Sequence, residues 1–320
     1  MRFLTIPLVI ATLLAPVSFA AAQETYPARP IKVIVPLAAG GGTDIVARTI
    51  VQSIADDWGA NIVVENRPGA GTTLGAQALL SSPADGYTLM FNTASFLVTP
   101  HLMPSRPYDR AKQFAPVSLV AASPHVLVVS EKVPAKSLAE LVAWLKSKDG
   151  KATYASFGNG SSGHLGTEIL LRRLGVQVVH VPYRGNAPAL TDVMAGHVDM
   201  MLADHVDGNI KASKPRPIAV ASEKRSEHLP DVPTVSEGGY AGYTSQSWYG
   251  LVAPAGTPQA IVDKWHAGVA AALKKPDIRK KLIDQGIDPI GSSPAEFNRF
   301  METEDVKYGE AIKASNIKMQ

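Results

Sequence analysis

Three glycine-rich loops, each set between a β-prone run and an amphipathic segment, constrain the fold more than any other feature of this chain. They are Pro36-Leu37-Ala38-Ala39-Gly40-Gly41-Gly42-Thr43-Asp44, Asn66-Arg67-Pro68-Gly69-Ala70-Gly71-Thr72-Thr73 and Gly158-Asn159-Gly160-Ser161-Ser162-Gly163-His164. Before the first lies Ile31 to Pro36, a short run rich in Val and Ile that reads as a buried strand. After it, Ile45, Val46, Ile50 and Ile54 recur at helical spacing. Ile62 to Glu65, the stretch Thr72 to Leu80 and Tyr87 to Asn92 repeat the alternation. Strand, glycine loop, helix, strand is the grammar of a parallel α/β sheet.

The pattern then starts again. Val117 to Val129 is a long β-prone stretch broken by Pro124. Helical segments are expected at Leu138–Lys146, His164–Leu174 and Ala187–Ala195. Strands are expected at Thr153–Phe157, Val176–Val181, Val198–Ala203 and Ile218–Ala221. After a last strand, Trp248 to Ala253, the chain is mostly helical, and that block must pack on something. The economical solution is a return to the first unit. The expectation is therefore an α/β, two-lobed fold with two hinge-strand crossings, near Leu119–His125 and Ser247–Val252. Lobe 1 would hold residues 23–122 plus 249–320, and lobe 2 residues 123–248. Two lobes suit 320 residues, because single cores stop growing near ~250–300.

The N-terminus carries an address. Arg2 precedes an almost wholly apolar stretch from Phe3 to Phe19, broken by Pro7 and Pro16, and Ala20, Ala21 and Ala22 follow. That is the layout of a secretory signal peptide, residues 1–22, cleaved near Ala22. The alternative, an anchor helix, would need ~17–25 apolar residues and would not welcome two prolines. A periplasmic, soluble mature protein is expected. The chain has no cysteine, which removes disulfides, thiolate metal sites and thiol nucleophiles together. The formal charge of +3 is scattered, with no run of Lys or Arg, so nucleic acid is not an expected partner.

Glycine lets backbone amides approach a ligand closely, and the free amides at a helix start favour an anion. In an open parallel sheet ligands sit beyond the carboxyl ends of strands, where these loops lie. Three such loops point to an anion cleft rather than to turn chemistry alone. Gly158, Gly160 and Gly163 match the dinucleotide pattern G-x-G-x-x-G, yet no carboxylate stands about 20 residues on to hold a ribose. A Walker A loop is absent, and no cofactor is expected. His164 and Glu168, at i and i+4, could face one metal, but no third ligand is apparent. Ser161 or Ser162 with His164 could be a hydrolase pair, although no G-x-S-x-G elbow occurs. Helix capping and ligand binding explain the serines more simply. Asp44 is read as a brace for its own loop, and Arg184 as a candidate cleft cation.

The chain resembles the solute receptors of tripartite tricarboxylate transporters, the Bug (Bordetella uptake gene) family. The resemblance is carried by Tyr26-Pro27-Ala28-Arg29-Pro30-Ile31, by Val35-Pro36 with Gly40 to Asp44, and by Val64 to Gly71. Pro83 to Leu89, Tyr154-Ala155-Ser156 through His164-Leu165, and Val181-Pro182-Tyr183-Arg184-Gly185 continue it. Leu229 to Thr234 and Ala253 to Pro258 complete it. It implies a two-lobed type II periplasmic-binding-protein fold that binds a small organic carboxylate, without catalysis, and delivers it to the transporter's membrane subunits as a monomer. On matching positions it implies a first-lobe wall of Leu37, Ala38, Ala39, Gly40, Gly41, Ala70, Gly71 and Ser95. The second-lobe wall would be Ser156, Asn159, Gly160, Ser161, His164, Tyr183, Arg184 and Asp204. The chain departs from many relatives at Leu37 and Ala38-Ala39, where they carry an aromatic and other small residues. An exported sensory module remains an alternative role.

Overall fold

The computed structural model describes residues 26–315, apart from 104, 106, 205–209, 211 and 213. The signal segment lies outside the described residues. The chain first builds β1 (Ile31–Val35), α1 (Gly42–Trp58), β2 (Ile62–Asn66), α2 (Thr73–Leu80), β3 (Thr88–Asn92) and α3 (Ala94–Leu102). A short α4 (Arg110–Gln113) leads into the long β4 (Phe114–Pro124). Next come β5 (Val126–Val129), α5 (Leu138–Ser147), β6 (Thr153–Ser156), α6 (Ser162–Leu174), β7 (Val179–Pro182), α7 (Asn186–Ala195), β8 (Met200–Ala203) and β9 (Arg216–Val220). The last elements are β10 (Gln246–Pro254), α8 (Gln259–Lys274), α9 (Pro276–Ile283), β11 (Asp288–Pro289) and α10 (Pro294–Ser315).

These strands form two sheets. The first has the order β11-β4-β10-β3-β1-β2 and the second β7-β6-β8-β5-β9. Within each, three strands are parallel: β2, β1 and β3 in the first, and β7, β6 and β8 in the second. The sheets are mixed rather than wholly parallel, because β10 runs antiparallel to its neighbours β3 and β4 in one, and β5 to its neighbours β8 and β9 in the other. Only His125 separates β4 from β5, so one continuous stretch of chain serves both sheets. Ser245, just before β10, accepts a hydrogen bond from His125 N and donates one to Ala221 O, which makes the return crossing.

Each sheet is covered on both faces, as parallel strands require. Val33, Ile50, Phe91 and Trp265 pack on one face of the first sheet, and Ile34, Phe96, Trp248 and Phe297 on the other. Leu127, Leu141, Tyr154 and Tyr243 pack on one face of the second, and Val128, Ala155, Val193 and Met201 on the other. Each large side chain so buried stabilises the fold by roughly 1.5–3 kcal/mol. The C-terminal helices return to the first sheet, where α8 packs against α1 and β4. α10 covers β4 and α3 and also touches α6 of the second half.

Local chemistry explains the boundaries. α1 stops at Gly59, whose φ of 59° is left-handed, and α6 stops at Gly175 with φ 65°. α5 starts at Ser137, whose side chain accepts from Glu140 N, while Glu140 accepts from Lys136 N. α3 is absent from the sequence reading. Its residues Phe96, Leu97, Val98 and Thr99 are all buried, and Pro100 lies inside it. A helix buried all round has no polar face to betray its period.

Candidate ligand-binding cleft

A cleft of about 650 Å³ opens between the two sheets. The carboxyl ends of β1, β3, β6 and β8 and the loop after β7 supply its walls, as expected for α/β folds. Four helices start at it, two from each half: α1 at Gly41–Thr43, α3 at Thr93–Ser95, α6 at Ser161–Ser162 and α7 at Gly185–Ala187. Three of these starts, at Gly41, Thr93 and Gly185, have no side chain capping the first turn. Their amides are left for a ligand, and four positive dipole ends favour negative charge between them.

The two halves hold their loops differently. In the first, Asp44 accepts from Gly40 N at 2.9 Å, from Asn66 Nδ2 at 2.9 Å and from Arg48 Nε at 3.0 Å. Burial pushes the Asp44 carboxyl up, but these three donors together hold it below the usual carboxylate range. Asn66 Nδ2 also donates to Leu37 O at 3.1 Å. The loop is therefore braced from beneath, and the Gly40 amide is committed to Asp44. In the second half, Ser161 caps α6 by accepting from His164 N, and its hydroxyl donates to Gly158 O at 2.7 Å. Gly163 gives α6 its close approach, since a Cβ there would meet the Phe157 ring at 2.4 Å.

Leu37, Ala38, Ala39, Gly40, Gly41, Ser95, Ser161, Arg184 and Asp204 all lie in the cleft wall. The other sequence-derived candidates stand elsewhere. Ala70 and Gly71 sit against α3, where Thr99 Oγ1 donates to Gly71 O at 2.5 Å. Gly160 presses on Val98 and Leu102 of α3, and Asn159 is exposed beside it. Ser156 and His164 lie behind the loop. Ser156 Oγ is 2.7 Å from His180 Nε2, and His164 Nδ1 accepts from Gly160 N at 3.1 Å. Tyr183 Oη donates to Asp192 at 2.5 Å. Burial, with help from Asp192, pushes that phenol up to about 12.

Residues unforeseen from sequence complete the wall. Thr93 and Ala94 start α3, Ser247 and Tyr249 come from β10, and Gln285 and Ile287 from the C-terminal block. Phe157, Ile45, Pro188 and Ile287 give the wall apolar stretches. Arg184 is exposed, and it is the only Lys or Arg among the described residues of the wall. Asp204, whose N–H donates to Asn186 Oδ1 at 2.9 Å, is the only carboxylate lining it among them. Two other hollows, of about 420 and 660 Å³, lie beside α6 and beside α3 and α4, and neither gathers more than one helix start.

The catalytic alternatives lose their geometry. His164 Nδ1 accepts from the Gly160 amide, while the Ser161 hydroxyl donates to Gly158 O and the Ser162 hydroxyl meets His125 and Ser247. Ser162 Oγ lies 3.3 Å from His125 Nε2, and His125 Nδ1 is 2.8 Å from Ser245 Oγ. Glu168 accepts from Tyr154 Oη at 2.6 Å. Among the described residues no cluster of three metal-ligating side chains exists, and no helix is long and apolar enough to cross a membrane.

Two α/β lobes joined by crossing strands, with helix starts facing a shared cleft, define the class of two-lobed periplasmic binding proteins. The sequence profile of the tripartite tricarboxylate transporter family receptor matches residues 46–317, and the chain belongs to that family. It is 35% identical to protein BugT of Bordetella pertussis over 97% of this chain and 95% of that one. An R. palustris protein solved with adipate superposes with a TM-score of 0.82 at 33% identity, covering 92% of this chain and 99% of that one. MatC of Rhodopseudomonas palustris, solved with bound malate, gives a TM-score of 0.78 at 33% identity, covering 90% and 100%. Members of the family are periplasmic solute-binding proteins rather than enzymes.

Proposed function

We propose that this chain is an exported receptor that binds a small organic carboxylate between its lobes and delivers it to the membrane subunits of a tripartite tricarboxylate transporter. The lobes divide as residues 23–122 plus 249–320 and residues 123–248, and the protein acts as a monomer. The observation that carries the reading is the convergence of four helix starts on one cleft, three of them without a side-chain cap. Adipate and malate in two relatives support a carboxylate. Arg184 strengthens the anion preference from the second lobe. The apolar stretches of Phe157, Ile45 and Ile287 suit a ligand with an apolar body.

Thermal-shift measurements with mono-, di-, tri- and aromatic carboxylates test it. A ligand that binds only the folded state raises the melting temperature, by free energy that grows with the logarithm of concentration over Kd. A saturable rise with at least one carboxylate is expected. No shift across the panel, with no heat on titration, contradicts the reading.

A further inference from the structure

The wall residue with the least satisfied chemistry is Tyr249. Its ring is packed in the first-lobe core, and the residue is only 2% exposed. The residue lines the cleft, yet among the described residues its buried Oη has no hydrogen-bond partner. An orphaned buried hydroxyl is rare and asks for an explanation. Ser53 Oγ and Asn92 Oδ1 are also without partners, but neither residue lines the cleft.

The position of the phenol supplies the explanation. A Cβ built on Gly42 would lie 2.6 Å from Tyr249 Oη, so the phenol oxygen sits directly against the first residue of α1. That is the uncapped helix start where an anion is favoured. Glycine at position 42 leaves the room. The phenol is anchored on β10, which runs through the return crossing, so it belongs to neither loop that closes on the ligand.

We propose that Tyr249 is a ligand-binding residue whose hydroxyl donates to a carboxylate oxygen held at the N-terminus of α1. The proposal rests on the carboxylate reading of the cleft and adds a residue that reading does not require. Burial and the charge of Asp204 keep the phenol protonated, so it remains a donor throughout the physiological pH range. A carboxylate is a fitting acceptor, since hydrogen bonds with one charged partner are the strong ones. The hydroxyl then contributes recognition instead of stability, which separates it from an ordinary core tyrosine.

The test is Tyr249→Phe, with calorimetric titration of adipate, malate and benzoate into wild type and variant, beside the melting temperature of each protein without added ligand. The expected result is about a tenfold loss of affinity, the worth of one charge-assisted hydrogen bond. The ligand-free melting temperature should stay level or rise, because an orphaned donor is removed. Equal affinity in the two proteins overturns the proposal and leaves the receptor reading intact. So does a lowered melting temperature with unchanged affinity. If the wild type binds none of the three acids, the proposal falls together with the carboxylate reading. A second variant guards against misfolding. Gly42→Ala should weaken the same acids by crowding the phenol, and should cost little more in the Tyr249→Phe background. Full additivity of the two changes counts against the proposal.

Discussion

His125 Nε2 lies 3.3 Å from Ser162 Oγ, so the residue that joins the two sheets touches the first residue of the helix that opens onto the cleft. Ser247 on the return strand closes the set, 3.2 Å from His125 Nε2 and 3.1 Å from Ser162 Oγ. His125 is fully buried. Both crossings and the second-lobe glycine loop thus share one polar cluster.

Breaking that cluster should be costly. His125→Leu removes the ring nitrogens that meet Ser245, Ser247 and Ser162, leaves Ser162 and Ser247 only each other, and should lower the unfolding free energy by about 1–3 kcal/mol. Ser162→Ala should cost less, about 1 kcal/mol, since Ser247 still answers His125. Urea denaturation reads both from the midpoint shift at constant slope. A His125→Leu variant as stable as wild type would show that the cluster is incidental.

The brace under the first loop is a pH-dependent contribution. The Asp44 carboxyl is held below its unfolded value, so it stabilises the fold above that value, near ~3.9. The contribution is lost as pH falls through the lower folded value. At pH 7, Asp44→Asn should cost about 1–2 kcal/mol, because Gly40 N and Arg48 lose a charged acceptor. The gap between the two proteins should shrink at pH 3, as measured by chemical denaturation. A gap of equal size at both values contradicts the assignment.

Behind the second loop the sign is opposite in origin but similar in direction. His164 and His180 stack with ring centroids 4.0 Å apart. Burial pulls both down to about 4, and in His180 the neighbouring His164 adds to the effect while Glu168 opposes it. The folded chain keeps both rings neutral while the unfolded chain protonates them near ~6.5. Stability is therefore full above that value and falls as pH drops toward about 4. The loss should be a few kcal/mol for the pair, with the larger share from His164, because His180 is partly exposed. His180→Phe should remove the smaller part of that slope in unfolding experiments between pH 7 and 4. An unchanged slope would place the acid sensitivity elsewhere.

Arg184 is exposed, so its contribution to binding should be modest and sensitive to salt. Arg184→Glu should weaken a carboxylate by about tenfold at low ionic strength, and raising the salt should narrow the difference. Titration at two salt concentrations checks this. Equal affinity at low salt would remove Arg184 from the site.

Much of the fold is legible because its determinants are local. Val33 and Val35 sit in a short apolar run, Ile50 and Ile54 keep helical spacing, and Gly59 and Gly175 end their helices through left-handed φ. The two crossings could be anticipated because a terminal helical block needs a sheet to cover. The cleft is legible where glycine and small residues mark a helix start, as at Gly41 and Ser161. It is hidden where the signal is tertiary. α3 carries no amphipathic period, so Thr93 and Ala94 gave no sign. Tyr249 sits in a strand that reads only as apolar, and its role depends on the room left by a glycine roughly 200 positions away in sequence. Ala70 and Gly71 belong to a loop of the same design as the first, but β2 is the edge strand of its sheet, and that loop packs on α3.

The proposed ligand of the cleft between the lobes is a small carboxylate. Isothermal titration of the purified chain with mono-, di-, tri- and aromatic carboxylates, beside matched neutral amides and sugars, tests it most directly. Saturable one-to-one binding of at least one carboxylate is expected, weakened by Arg184→Glu, with no comparable binding of its neutral amide. Binding of a neutral solute with no heat from any carboxylate would contradict it.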